Sequence, residues 1–142
     1  MSLLIEIPKK TQAGLEIKVS SAKEVFKLKE VQEIKDAIQE HLLFIGLDKR
    51  NNIRNISLLG IGTSSEIIID SKYIIRTALV TASDKVILVH NHPSNGLTAS
   101  DKDIYLTNIT AKLLETYNIQ FLDHIIVAEN RIFEYGREKS NQ

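Results

Sequence analysis

The sequence predicts an α/β fold, in which a mixed β-sheet carries helices on its faces. Short apolar or alternating segments, typical of strands, follow one another along the chain with amphipathic helical segments between them. The chain has 142 residues, the length of one ordinary domain. No repeat, linker or low-complexity run divides it. We therefore assign residues 1–142 to a single domain.

The first forty residues predict two strands and one helix. Leu3–Ile7 is apolar enough for a strand, and alternating apolar positions in Leu15–Val19 predict a half-buried second strand. Ser21 and Glu24 have the spacing of a capping box, which marks the start of a helix. We expect this helix to end near Glu40 and to bury an apolar face made of Leu28, Val31, Ile34 and Ile38.

A hairpin and a loop are predicted next. Leu42–Leu47 and Ile53–Leu59 are strand-like segments, and the turn-forming pair Asn51-Asn52 lies between them. Gly60–Thr63 is predicted to be a loop, because its glycines tolerate positive φ and close backbone approach. A phosphate-binding role for this loop is a weak alternative, since no lysine follows at the required spacing.

The centre of the chain predicts a short strand, a helix and a buried strand. The short strand is Ile67–Ile69, and Asp70 or Ser71 can cap the helix that follows. Val86–Asn91 is an apolar run that reads as a buried strand. The residues expected on the inner face of the helix are Ile74, Ile75, Ala78 and Leu79.

The last third predicts a long helix and two closing strands. Thr98 or Ser100 can cap the helix, which we expect to run to about Tyr117. Gln120–Ala128 and Arg131–Tyr135 are the predicted strands. The apolar residues at helical spacing along the helix are Leu106, Ile109, Leu113 and Tyr117.

Two histidines stand one residue apart at the end of the buried strand. Because alternate side chains of a strand point the same way, His90 and His92 should project together. Asp103 follows in the first turns of the long helix. Two imidazoles and one carboxylate form the open three-ligand set of a hydrolytic zinc centre, which keeps its fourth position for water. A satisfied pair of polar histidines without metal is the alternative interpretation.

These residues carry a family resemblance. The order His90, His92, Ser100 and Asp103, with its spacing, resembles the JAMM metalloprotease motif of JAB/MPN domains. The resemblance implies a mixed, mostly antiparallel sheet flanked by helices, in a layered architecture like that of cytidine deaminases. It also implies a Zn²⁺ cofactor and hydrolysis of an amide or isopeptide bond. A zinc phosphoesterase remains a formal alternative, as does an inactive MPN scaffold.

Three longer strings resemble the bacterial RadC branch of this family. They are His90–Ser94, Leu122–Val127 and Gly60–Thr63. The resemblance extends over about residues 20–137. RadC proteins often carry a preceding helix-hairpin-helix segment, and the sequence shows none. The RadC name also implies a second candidate function, that of a DNA-repair accessory protein without peptidase activity.

The resemblance implies two catalytic residues in addition to the metal ligands. Glu40 matches the glutamate that accepts a proton from the attacking water, and Ser100 matches the hydroxyl that assists the reaction. The alternative for Glu40 is a solvated carboxylate at a helix end, with Glu30, Glu33 and Glu66 as rival bases. Ser100 can also be an ordinary helix cap.

Further polar residues are expected to have structural roles. Asp123 and His124 stand together in an apolar strand, so we interpret them as a structural pair. Asn91 is expected to hold the turn at Pro93. Both interpretations place these residues outside the catalytic set.

Composition narrows the function classes. The 18 basic and 18 acidic side chains balance, so we expect no tight binding to duplex DNA. The absence of cysteine excludes disulfides, thiolate zinc sites and the zinc deaminases. No segment predicts a membrane span or a signal peptide, so we expect a cytoplasmic enzyme. The family resemblance implies that its substrate is a peptide or protein. The sequence leaves the oligomeric state open.

Overall fold

The computed structural model describes residues 18–94, 96–128 and 131–134, which contain both helices and strands. The predicted strand Leu3–Ile7 lies outside these residues, as does most of Leu15–Val19. The elements are α1 (Ala22–Phe26), α2 (Lys29–Ile34), β1 (His41–Leu47), β2 (Ile53–Ile61), α3 (Ser71–Val80), β3 (Lys85–Asn91), α4 (Asp101–Thr116), β4 (Gln120–Ala128) and β5 (Arg131–Glu134).

The strands form a five-stranded sheet in the order β2-β1-β3-β4-β5. Only β3 and β4 pair in parallel, and the other neighbours are antiparallel. Parallel neighbours need a long crossover connection, and α4 supplies it. The predicted mixed, mostly antiparallel sheet is therefore confirmed. β3 lies between β1 and β4, so its last residues emerge from the middle of the sheet, at the end where β3 terminates.

Helices cover both faces of the sheet. Because strand residues alternate between faces, Leu43 and Ile45 pack with α1 and α2, whereas Leu42 and Phe44 pack with α3 and α4. Val31 of α2 and Ile74 of α3 are completely buried on their respective faces. The three layers match the predicted α/β class. Within the described residues, no helix is long and apolar enough to cross a membrane.

The first predicted helix is two short helices. Ser21 caps α1 as expected, with its hydroxyl accepting from the Glu24 N–H at 3.3 Å. Leu28 then adopts an extended conformation, with φ −60° and ψ 139°, and interrupts the helix. The second helix ends at Ile34 rather than near Glu40, so Ile38 is exposed instead of buried. Glu40 accordingly lies immediately before β1 and does not end a helix.

Three smaller predictions are wrong. Strand β2 continues through Gly60 to Ile61, so the first half of the predicted loop is strand. Ile67–Ile69 forms no strand, because the segment packs its side chains against Gly60 and does not join a β-ladder. Leu79 and Tyr117 are about half exposed, because the buried residues are Ile74 and Ala78 in α3 and Leu114 in α4.

Candidate metal centre

His90 and His92 project together from the end of β3. Residues of β3 on the His90 face, such as Leu88, are buried under α3 and α4, and His90 continues this row with 1% exposure. His92 follows the strand, and its N–H donates to the Val127 carbonyl at 3.1 Å, which holds it beside β4. The two Nε2 atoms lie 2.7 Å apart. The structure thus brings the two predicted ligands to one point.

Asp103 reaches the same point from the start of α4. Ser100 rather than Thr98 caps this helix, with its hydroxyl accepting from the Asp103 N–H at 3.1 Å. Asp103 Oδ2 accepts from the Ser100 N–H at 2.9 Å, which completes a capping box. The carboxylate oxygens lie 3.2 Å from His90 Nε2 and 3.3 Å from His92 Nε2. The cap therefore also fixes the carboxylate beside the imidazoles.

These separations suit a tetrahedral ion. With bonds of about 2.0–2.1 Å, the ligand atoms of tetrahedral zinc lie about 3.3 Å apart. Asp103 Oδ1 lies at about this distance from His90 Nε2, and Asp103 Oδ2 lies at about this distance from His92 Nε2, whereas the two imidazole nitrogens are closer, at 2.7 Å. His92 Nδ1 lies 2.7 Å from the Gly96 carbonyl oxygen, which can only accept, so Nδ1 carries a proton and the neutral form of the ring presents its lone pair on Nε2.

The charges at this point favour a cation. Burial alone would raise the pKa of Asp103, but contacts with the His90 and His92 imidazoles lower it well below the usual range. Burial alone would lower the pKa of His92, but hydrogen bonds with Asp103 and the Gly96 carbonyl raise it. A carboxylate that stays ionised and an imidazole that holds its proton indicate a site that attracts positive charge.

Glu40 is buried beside the two histidines. Only 6% of the residue is exposed, and its Oε1 lies 3.9 Å from His92 Nε2. Burial raises the pKa of its carboxyl, although His90 and His92 partly oppose this. The alternative of a solvated carboxylate at a helix end is therefore excluded.

Backbone bonds hold Glu40 in place. Its N–H donates to the Thr63 carbonyl at 2.8 Å, and its carbonyl accepts from the Gly62 N–H at 2.7 Å. A Cβ on Gly62 would lie 2.7 Å from the Cα of Ile67 and would collide with the Glu66 carbonyl oxygen. The glycine at position 62 thus lets the turn after β2 close tightly against the Glu40 backbone.

Asn91 fixes the segment that carries Glu40, and the expected role at the Pro93 turn is not seen. Its Oδ1 accepts from the His41 N–H at 2.6 Å, and its Nδ2 donates to the Gln39 carbonyl at 3.0 Å. These bonds join β3 to the residues on either side of Glu40. Sequence reasoning missed this function, because the partners are about 50 residues away.

The rival glutamates lie elsewhere. Glu33 faces Lys29 on the exposed side of α2, at 3.9 Å. Glu30 is on the same short helix. Glu66 lies at the rim of the site, where it forms an ion pair with Lys102 and remains about half exposed. None of these three carboxylates approaches the histidines as Glu40 does.

The imidazole of His124 is part of the cluster. Its Nε2 lies 2.7 Å from His90 Nδ1, and its Nδ1 lies 2.7 Å from the Thr107 hydroxyl. Asp123 instead accepts from the backbone N–H of His124 at 2.7 Å. Complete burial, followed by the proximity of His90, lowers the pKa of His124 to about 3, so the ring is neutral. The interpretation of His124 as one member of a purely structural pair is therefore wrong, because its ring joins the cluster.

The cluster opens into a groove of about 420 Å³, whose walls include Glu40, His92, Ser100 and Asp103. Among the described residues, the cluster also contains two other overlapping sets whose ligand atoms lie close enough together to share an ion. One is Glu40, His90 and His92, and the other is His90, Asp103 and His124. Both sets contain His90, so the site is centred on this residue.

This chain is similar in sequence to a known protein family over most of its length. A family model described as the RadC-like JAB domain matches residues 19–140. UPF0758 protein CT0611 of Chlorobaculum tepidum is 33% identical over 122 residues, which cover 86% of this chain and 54% of that protein. A UPF0758 protein of Pelodictyon phaeoclathratiforme is 30% identical over the same coverage. The chain thus spans about half the length of the curated relatives it matches.

Proposed function

The chain belongs to the RadC-like JAB domain family, and we propose that it is a zinc-dependent hydrolase that cleaves an amide bond in a peptide or protein. The observation that carries this proposal is the convergence of His90 Nε2, His92 Nε2 and the Asp103 carboxylate on one point. Three nitrogen and oxygen donors with an open fourth position are the ligand set of catalytic zinc. The buried Glu40 carboxylate beside them supports hydrolysis rather than a purely structural ion.

Each residue has a chemical role in this proposal. When bound, zinc would act as a Lewis acid and lower the pKa of a water molecule toward about 7. Glu40 accepts the proton of that water and passes it to the leaving amine. Its raised pKa suits a group that must both accept and release a proton.

Ser100 is the second residue with a catalytic role in this proposal. Its oxygen accepts from the Asp103 N–H, which leaves the hydroxyl proton free to be donated. The residue lines the groove beside Asp103 and is exposed to it. We assign its hydroxyl to the oxyanion that develops on the substrate carbonyl.

A peptide-library screen tests the proposal. We expect the zinc-loaded protein to cleave library peptides, and a chelator to abolish the cleavage until zinc is restored. Glu33→Gln, which removes a carboxylate on α2, is a matched control and should cleave like the parent protein. Cleavage that survives complete removal of the metal, or zinc-loaded protein that cleaves no peptide, would contradict the proposal.

Substitution of Ser100 separates capping from catalysis. Glycine is tolerated at an N-cap at a cost of a few tenths of a kcal/mol, so Ser100→Gly should leave the melting temperature nearly unchanged. It removes the hydroxyl, and kcat should fall by about 100–1,000-fold, the usual effect of losing one oxyanion donor. Ser100→Thr keeps a hydroxyl and a cap and should restore most of kcat. Full activity in Ser100→Gly would show that the residue is only a cap.

Zinc affinity should depend on pH through His92. The pKa of His92 is raised in the metal-free protein, so this ring is protonated below its folded pKa and must release the proton to bind zinc. Affinity should therefore fall by about 10-fold per pH unit on the acid side of that pKa. The same raised pKa stabilises the metal-free fold at low pH, and this contribution disappears as the pH rises through it. Competition titrations with a chelator at several pH values measure the slope, and a flat profile would contradict the assignment.

A further inference from the structure

We infer that His124 is a positioning residue, whose unprotonated Nε2 accepts a hydrogen bond from His90 Nδ1 and thereby directs the lone pair of His90 Nε2 into the metal site. This inference rests on the proposed zinc site, in which His90 is a ligand. It assigns a function to a buried polar residue of β4 that the catalytic set does not use.

The hydrogen positions can be assigned by starting from Thr107, which contacts His124 on the side away from His90. Thr107 donates its hydroxyl proton to the Asp103 carbonyl at 2.7 Å, because a carbonyl oxygen can only accept. With its single proton used, the hydroxyl can only accept from His124 Nδ1, which lies 2.7 Å away. His124 Nδ1 therefore carries a proton.

The second nitrogen of His124 must then be bare. A proton on both nitrogens would make an imidazolium, and His124 is only 2% exposed, so a charge there would carry a large desolvation cost. The single proton between His124 Nε2 and His90 Nδ1, which are 2.7 Å apart, accordingly belongs to His90. His90 then presents its Nε2 lone pair toward Asp103 and His92.

Each of the two histidine ligands has an acceptor for its Nδ1 proton, but the two acceptors differ. His92 donates its Nδ1 proton to the Gly96 carbonyl, and His90 donates its own to a neutral ring. A ligating histidine usually has such an acceptor, which fixes its tautomer and orientation. Because this acceptor is neutral, it adds no negative charge beside the site, and a bound ion would keep more of its positive charge.

The chain of contacts also couples the two elements that carry ligands. It runs from His90 on β3 through His124 on β4 to Thr107 on α4, and it ends on the backbone of Asp103. The parallel register pairs His124 with Leu88, which places it next to His90 on the same face. Displacing His124 should therefore disturb both ligands.

Two substitutions of His124 test the inference. Leucine has no acceptor, so His124→Leu should weaken zinc binding by about 10–100-fold, the usual effect of losing such a partner. Glutamine offers an oxygen toward His90 and an N–H toward Thr107, so His124→Gln should recover most of the affinity. Ile125→Val, on the opposite face of β4, is a matched control for altered packing and should bind zinc like the parent protein.

Nitrogen-15 NMR of the imidazoles gives a readout that needs neither zinc nor catalysis. In the metal-free protein, His90 should show a protonated Nδ1 and a bare Nε2, and this preference should weaken in His124→Leu. A proton on His90 Nε2 in the parent protein, or unchanged zinc affinity in His124→Leu, would overturn the inference. A zinc-induced shift of a directly coordinated His124 nitrogen would also overturn it. If the parent protein and all variants fail to bind zinc, the proposed function is refuted instead. The tautomer of His90 in the metal-free protein would still show whether His124 orients its ring.

Discussion

His92→Ala is expected to lose zinc almost completely. The variant removes one of three converging donors. Zinc-finger peptides bind structural zinc with roughly 10–16 kcal/mol, so the loss of one ligand should cost several kcal/mol of binding free energy. The dissociation constant should therefore rise by at least about 100-fold. Metal analysis after dialysis should find a single zinc ion per chain in the parent protein and almost none in the variant.

His41→Ala serves as the control for this experiment. The His41 ring lies against the Gln39 carbonyl at 2.9 Å and is not part of either metal-binding set. This variant should keep its zinc. Both faces of the sheet have their own apolar core, so the zinc-free protein should also stay folded, which circular dichroism can check. Stoichiometric zinc in His92→Ala would show that the ligand assignment is wrong.

Glu40→Gln is expected to abolish most of the hydrolysis while leaving zinc in place. Glutamine has nearly the same shape but cannot accept the proton, and a positioned proton-transfer group contributes about 100–10,000-fold in rate. The backbone bonds of residue 40 to Thr63 and Gly62 do not depend on the side chain, so the turn should keep its structure. Steady-state kinetics and metal analysis on the same preparation measure both effects.

The pH profile distinguishes a base from a metal ligand. The acidic limb of kcat/KM should report the Glu40 carboxyl in the free enzyme, and it should disappear in Glu40→Gln. Glu33→Gln should keep this limb. If Glu40→Gln loses its zinc together with its activity, Glu40 is a ligand and the base must be another group.

The parts of the site that depend on local geometry could be predicted from the sequence. Strand alternation places His90 and His92 on one side, and Ser100 is one of the two candidate caps for the helix that carries Asp103. These relations involve neighbouring residues in a single element. The structure reproduces them with the carboxylate of Asp103 beside both rings.

The parts that depend on long-range pairing could not be derived from local patterns. Glu40 approaches the histidines because β1 pairs with β3, with Leu42 opposite His90, and only the family resemblance singled it out. His124 joins the cluster because β3 and β4 are parallel in one register. The signal for His124 was a polar residue in an apolar strand, but its partner depended on that register.

The break after α1 also escaped prediction. The apolar periodicity continues through Leu28 and gives no sign that the backbone of this residue is extended. Gln32 instead donates from its side chain to the Phe26 carbonyl at 2.6 Å and stabilises the break. Periodicity indicates which side of a segment is buried, but it does not show whether the segment is continuous.

Anomalous scattering at the zinc absorption edge, from a crystal grown with zinc, tests the central claim most directly. We predict one peak about 2.0–2.2 Å from His90 Nε2, His92 Nε2 and a carboxylate oxygen of Asp103. Glu40 should lie outside bonding distance of the ion and within hydrogen-bonding reach of its fourth position. A peak bonded to Glu40 or His124 in place of Asp103 or His92, or no peak at this point, would contradict the account.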